Sequence, residues 1–149
     1  MRSTEPGYLL DLNALISLAD PDSIHYDAMQ RWFDAEGKQR WGICPLTESG
    51  FVRVTTNPKY GGQGRTVAQA TAILAELANV SGYRYWPITE SWAAVTAPFA
   101  ARIKGHQQVT DAYLLGMAIR ENGVLVTFDE SIAYLAGTEF RGNLLTLAS

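Results

Sequence analysis

Short apolar runs alternate with amphipathic stretches along this chain, and two of the runs are closed by an aspartate within two residues. Residues 8–10, Tyr8-Leu9-Leu10, are followed by Asp11, and residues 124–127, Val124-Leu125-Val126-Thr127, are followed by Phe128 and Asp129. An apolar run of this length bounded by polar residues predicts a buried strand, and apolar residues recurring every three to four positions predict a helix. Strands are expected over 8–10, 41–44, 83–87, 124–127 and 144–147. Helices are expected over 12–18, 25–36, 46–55, 67–77, 90–103 and 111–121, with Pro98 a local irregularity in the fifth. Gly37 and Gly123 are read as helix stops, Pro45 as a helix opener and Thr110 as an N-cap. Strands that alternate with helices need crossover connections, so the expected class is α/β, with a mainly parallel sheet covered on both faces.

The 149 residues suit one domain, 1–149, with a single core. The stretch 59–64, with Gly61, Gly62 and Gly64, is too short to separate two folding units and reads as a loop. Apolar residues make up 47% and charged residues 18%, which excludes a disordered chain. Twelve basic against fifteen acidic residues leave a net charge of −3, so there is no global basic field, and any nucleic-acid contact has to be local. A lone cysteine, Cys44, forms neither an intrachain disulfide nor a cysteine-based zinc site. No apolar run approaches the roughly 18 residues of a membrane span, and the segment before Asp11 is too short for a signal peptide. The expected location is the cytoplasm, with no membrane partner.

In an open parallel sheet, ligands gather beyond the carboxyl ends of the strands, where Asp11 and Asp129 emerge. Asp111 shares a helix face with Leu115 and Ala118, and Glu48 shares one with Phe51, Val52 and Thr55. Four acids on one rim would repel one another and lose hydration, so either their pKa values rise or a divalent cation neutralises them. All-oxygen ligation suits Mg²⁺ or Mn²⁺ better than zinc. Each acid taken singly is equally well read as a helix cap or an arginine partner.

The segments Tyr8-Leu9-Leu10-Asp11-Leu12-Asn13-Ala14-Leu15-Ile16, Pro45-Leu46-Thr47-Glu48, Val109-Thr110-Asp111-Ala112-Tyr113-Leu114-Leu115 and Val126-Thr127-Phe128-Asp129 together resemble the successive acidic motifs of PIN-domain ribonucleases, particularly the VapC toxins of type II (VapBC) toxin–antitoxin pairs. The resemblance runs from about residue 8 to about residue 147. It implies a three-layer PIN-like sandwich with Asp11, Glu48, Asp111 and Asp129 around one or two Mg²⁺ ions, Mn²⁺ being a possible substitute. Asn13 and Thr127 match supporting polar positions. Metal-assisted hydrolysis of RNA phosphodiester bonds, a VapB-type antitoxin partner and a homodimer are implied in the same way.

Other residues carry less. His106 and His25 read as a loop residue and a helix-start residue. Arg53, Arg65, Arg102 and Lys104 guide RNA only if they cluster at the pocket. Four tryptophans, Trp32, Trp41, Trp86 and Trp92, fill core or an interface more often than they stack bases. Two other readings remain open at this point. A phosphatase of the haloacid dehalogenase type also uses Mg²⁺ and an aspartate after its first strand, but it wants a second aspartate where Asn13 stands. A non-catalytic PIN-like binding module is disfavoured by the retention of all four acids. A P-loop hydrolase fails, since Gly64-Arg65-Thr66 lacks the lysine.

Overall fold

The computed structural model describes residues 7–60 and 64–148. Residues 1–6, 61–63 and 149, including Gly61 and Gly62 of the expected loop, lie outside that range. Four parallel strands form one sheet: β1 (Tyr8–Leu10), β2 (Trp41–Gly42), β3 (Val124–Thr127) and β4 (Leu144–Thr146), in the order β2-β1-β3-β4. In register, Leu10 of β1 pairs with Val126, and Thr127 pairs with Thr146. Successive strand residues face opposite ways. Leu9 and Leu125 accordingly join a core with α6 (Val109–Arg120) and α7 (Ile132–Ala136), while Leu10 and Val126 join a second core. That second core is built with α1 (Leu12–Ala19), α2 (Tyr26–Ala35), α3 (Pro45–Thr55) and α4 (Val67–Ala78). The α/β sandwich expected from the alternation is therefore present, and each fully buried leucine in it contributes about 1.5–3 kcal/mol.

Connectivity decides where a ligand goes. From β1 the chain passes to β2 on one side and later returns to β3 on the other, which opens a crevice at the carboxyl ends of β1 and β3. Asp11 and Asp129 stand at those ends.

Several local expectations need correction. The second strand covers only Trp41–Gly42, because Cys44 and Pro45 turn into α3. Residues 83–87 do not form a full strand, although they run beside β2: Tyr83 bridges Trp41, Arg84 N–H donates to the Trp41 carbonyl at 2.8 Å, and Trp86 N–H donates to the Ile43 carbonyl at 3.0 Å. The expected helix over 90–103 splits into α5 (Trp92–Thr96) and a 3-10 stretch, Ala97–Arg102. Pro98 has no N–H to continue the ladder, and Phe99 takes non-helical angles to reach the core. Thr110 is not a cap, since α6 begins at Val109 after a 3-10 turn, His106–Gln108. Gly37 does follow the end of α2, opening a 3-10 turn, Gly37–Gln39, whereas after α6 the left-handed residue is Asn122 rather than Gly123. The short helix α7 lies outside the expected set: its buried Ile132, Leu135 and Ala136 have helical spacing, but the helix stops at Gly137 before that spacing can repeat.

The aromatic residues divide as packing requires. Trp41 is buried, Phe33 is buried, and Trp32 is half-buried edge-on to Tyr8 with centroids 5.1 Å apart. The segment Trp32-Phe33 is therefore core.

Candidate functional site

Asp11 is both the residue after β1 and the N-cap of α1. Its N–H donates to the Val126 carbonyl at 3.1 Å, and its Oδ1 accepts the Ala14 N–H at 2.8 Å. Its Oδ2 accepts the Thr127 hydroxyl. The bonds that end the strand and start the helix thus also orient a carboxylate that is only 4% exposed. Burial pushes the Asp11 carboxyl up to about 6; the Thr127 and Ala14 hydrogen bonds oppose that shift, and the Asp111 and Asp129 carboxylates add to it.

Thr127 links two acids. While its hydroxyl donates to Asp11, its Oγ1 accepts the Asp129 N–H at 2.9 Å. Asp129 is held further by Ser131, whose N–H and hydroxyl donate to Oδ1 at 2.9 and 2.7 Å. The Asp-x-Ser spacing of an Asx-turn marks Ser131 in the sequence, but the residue was not singled out there. Asp111 occupies the first turn of α6, half-buried, and its carboxyl is raised to about 6 by burial and by the neighbouring Asp129. Three helices begin at this rim with an acid at the cap or in the first turn: α1, α3 and α6. Helix N-termini favour negative charge, which offsets part of the crowding.

The structure thus brings Asp11, Asp111, Asp129 and Thr127 together. Glu48 stands apart. Its turn of α3 is tied to the site by the Thr47 hydroxyl, which donates to the Leu10 carbonyl at 3.2 Å. The Glu48 carboxylate lies beside Tyr83 and Tyr85 instead, and after burial its charge is the next cause of their raised phenol pKa values. Asn13 is exposed on the first turn of α1 and lines a hollow beside Asp129.

Among the described residues, no three His, Cys, Asp or Glu side chains form a ready-made metal cage. The donor chemistry nevertheless fits a hard divalent cation. Asp11, Asp111 and Asp129 are oxygen donors that act on one another electrostatically, and two of them have raised pKa values that an adjacent cation would reverse.

Of the basic residues considered, Lys104 lines the acidic site, in a hollow of about 520 Å³ with His106, Asp111 and Asp129. Arg102 is committed elsewhere: Nη1 donates to the Leu135 and Ala136 carbonyls at 3.0 and 3.2 Å, and Nη2 pairs with Glu139. Arg65 acts on Asp20 and Tyr60, remote in role from the acids.

The PIN domain family model matches residues 8–137. Ribonuclease VapC38 of Mycobacterium tuberculosis is 43% identical over 128 residues, covering 86% of this chain and 89% of the relative. Ribonuclease VapC39 from the same species is 37% identical over 125 residues, covering 84% and 90%. Among solved structures, VapBC2 from Rickettsia felis bound to a promoter DNA fragment superimposes with a TM-score of 0.62 at 13% identity, covering 95% of this chain and 98% of that one. FitAcB from Neisseria gonorrhoeae gives a TM-score of 0.60 at 17% identity, covering 87% and 92%, and like the first it supports the fold alone. With a family match across most of its length and VapC relatives above one-third identity over more than four-fifths of both chains, this chain belongs to the PIN domain family and, within it, to the VapC proteins.

Proposed function

We propose that this protein is a divalent-metal-dependent endoribonuclease, the toxin of a VapBC-type pair, with Asp11, Glu48, Asp111 and Asp129 as its acidic site. The observation that carries the reading is the buried Asp11 carboxylate, oriented at both oxygens and acted on by the charges of two further aspartates. A stable fold gains nothing from such crowding, and metal-assisted phosphodiester hydrolysis requires it. The curated relatives, named as ribonucleases, support the same activity.

Bound Mg²⁺ or Mn²⁺ would supply Lewis-acid activation of water and neutralise charge on the phosphate. The chain's own residues do the positioning. Asp11 is fixed by the Ala14 N–H and the Thr127 hydroxyl, and Asp129 by Thr127 and Ser131. Asp111 approaches from the first turn of α6, and Glu48, in the first turn of α3, would supply the fourth carboxylate. Lys104 at the mouth offsets the repulsion between RNA and the acids. In the hydrolysis a water oxygen would bond to phosphorus as one phosphorus–oxygen ester bond breaks, the proton given up by the water being returned through solvent to the leaving ribose oxygen, which ends as a hydroxyl opposite a phosphate monoester.

A VapB-type antitoxin is the partner of this reading, supported by the structural likeness to VapBC2 and FitAcB, and an acidic pocket favours an arginine-bearing segment from it. A homodimer in the cytoplasm completes the proposal. Among the described residues no helix is long and apolar enough to cross a membrane.

The test is cleavage of total cellular RNA by purified protein with Mg²⁺, Mn²⁺ or EDTA. Discrete fragments that appear with metal and vanish with EDTA are expected; metal-independent or absent cleavage overturns the reading. A second expectation concerns Thr127. Thr127→Val removes the donor to Asp11 and the acceptor for Asp129, so activity should fall about 10–100-fold, the usual effect of losing a group that orients metal ligands. Thr127→Ser, which keeps the hydroxyl, should retain most of it. Equal rates for the valine and serine variants would show that the hydroxyl does not organise the site.

A further inference from the structure

Two hollows meet at Asp129, and they differ in chemistry. The one containing Lys104 and Asp111 carries charge of both signs. The other, of about 370 Å³, is walled by Asn13, Ser17, Ser23, His25, Phe128 and Asp129. Apart from Asp129 and the imidazole, its walls hold no ionisable group, so neither a free phosphate nor an acidic segment is drawn to it. Its volume lies within the usual range of small-ligand pockets, about 300–1,000 Å³.

The feature that sets this hollow apart is an aromatic pair. His25 lies flat on Phe128, with centroids 4.2 Å apart and planes 11° from parallel. Phe128 is the residue between Thr127 and Asp129 and packs on the core beneath, so the strand end that orients the carboxylates also positions the ring. His25 precedes α2 without a side-chain capping bond, so the helix does not depend on its imidazole. Beside the pair, the Ser17 and Ser23 hydroxyls are joined at 3.1 Å, and the exposed Asn13 amide offers both a donor and an acceptor. A flat aromatic surface with neutral hydrogen-bonding groups at its edge matches a nucleobase.

We propose that this hollow is a base-binding subsite for single-stranded RNA. A nucleobase next to the scissile phosphate extends the His25–Phe128 stack, and Asn13 reads its edge, while the backbone continues past Asp129 toward Lys104. The inference rests on the ribonuclease reading, and it makes His25 and Asn13 specificity-determining residues rather than parts of the metal site.

The test compares wild type, His25→Ala and His25→Phe on a random-sequence single-stranded RNA pool, with cut sites mapped by end sequencing. Loss of one stacked base contact is expected to raise KM about tenfold or more with kcat little changed. The nucleotide preference at one position flanking the cut should flatten in His25→Ala and return in His25→Phe, and Asn13→Ala should alter which base is preferred there. An unchanged KM and cut profile in His25→Ala overturns the proposal. If wild type makes no metal-dependent cuts, the ribonuclease reading falls and a second arm decides the subsite alone. In that arm, oligoribonucleotides carrying 2-aminopurine at successive positions are titrated with Asp11→Asn protein in Mg²⁺. Quenching at one position that disappears in the Asp11→Asn/His25→Ala double variant supports the subsite; quenching equal in both proteins, or absent from both, rejects it.

Discussion

Asp11→Asn is expected to lower RNA cleavage by at least about 10²–10³-fold and, in the same protein, to stabilise the metal-free fold at neutral pH. The two effects have one cause. Asn keeps the Oδ1 acceptor that caps α1 through the Ala14 N–H, so the local fold is preserved. What disappears is a buried negative charge beside Asp111 and Asp129. Because burial raises the folded-state pKa of Asp11 from 3.8 to about 6, the folded protein holds this proton more tightly than the unfolded chain does. The contribution of Asp11 to metal-free stability should therefore be greatest below about pH 4, decline as pH rises towards 6, and level off above it. The accumulated cost at neutral pH is about 3 kcal/mol for a shift of this size. Chemical denaturation of EDTA-treated protein at several pH values would check this. The stability difference between the asparagine variant and wild type should grow in the variant's favour across that interval, while Asp111 contributes a slope common to both. Added Mg²⁺ should restore wild type at pH 7 more than the variant. A variant that cleaves normally, or one less stable than wild type at pH 7 without metal, would contradict the account of Asp11.

Gly42→Ala should be among the most destabilising single substitutions, at about 3–5 kcal/mol and a fall in Tm on the order of 10 °C. A Cβ at this position would lie 1.7 Å from the Arg84 carbonyl oxygen and 2.9 Å from the Trp86 ring. The obstacle at Arg84 is backbone, so no side-chain rotation relieves it. To make room, residues 82–86 must leave the edge of β2, which endangers the bonds from Trp41 N–H to the Gly82 carbonyl, from Arg84 N–H to the Trp41 carbonyl and from Trp86 N–H to the Ile43 carbonyl. Those bonds cover the exposed side of the shortest strand and bring Tyr85 to Glu48. Gly105→Ala is the control, since a Cβ there meets nothing within 4 Å. Thermal unfolding of the two variants should separate them clearly; a wild-type Tm for Gly42→Ala would mean that the 82–86 segment does not pack on β2.

Much of the site was legible because its signals are local. Asp11 follows an apolar run and precedes a helical period, so its place at a strand-to-helix junction depends on a few consecutive residues. Asp111 reads similarly, since its spacing from Leu115 and Ala118 places it on the buried face of α6. The split of the expected 90–103 helix was harder, because Val95 and Phe99 keep the i, i+4 spacing of one helix face although Phe99 takes non-helical angles after Pro98.

By itself the sequence determined the alternation of strands and helices, the order of the four acids and the chemistry they are able to support, since periodicity, capping and ionisation are properties of a residue and its chain neighbours. Tertiary structure decided which acids face one another. It placed Asp11 against Asp111 and Asp129 through a hydroxyl 116 positions away along the chain, turned Glu48 to Tyr85, and laid His25 on Phe128. Each of those contacts joins residues from different elements, and their proximity follows from sheet order and helix packing, which no short window of sequence contains.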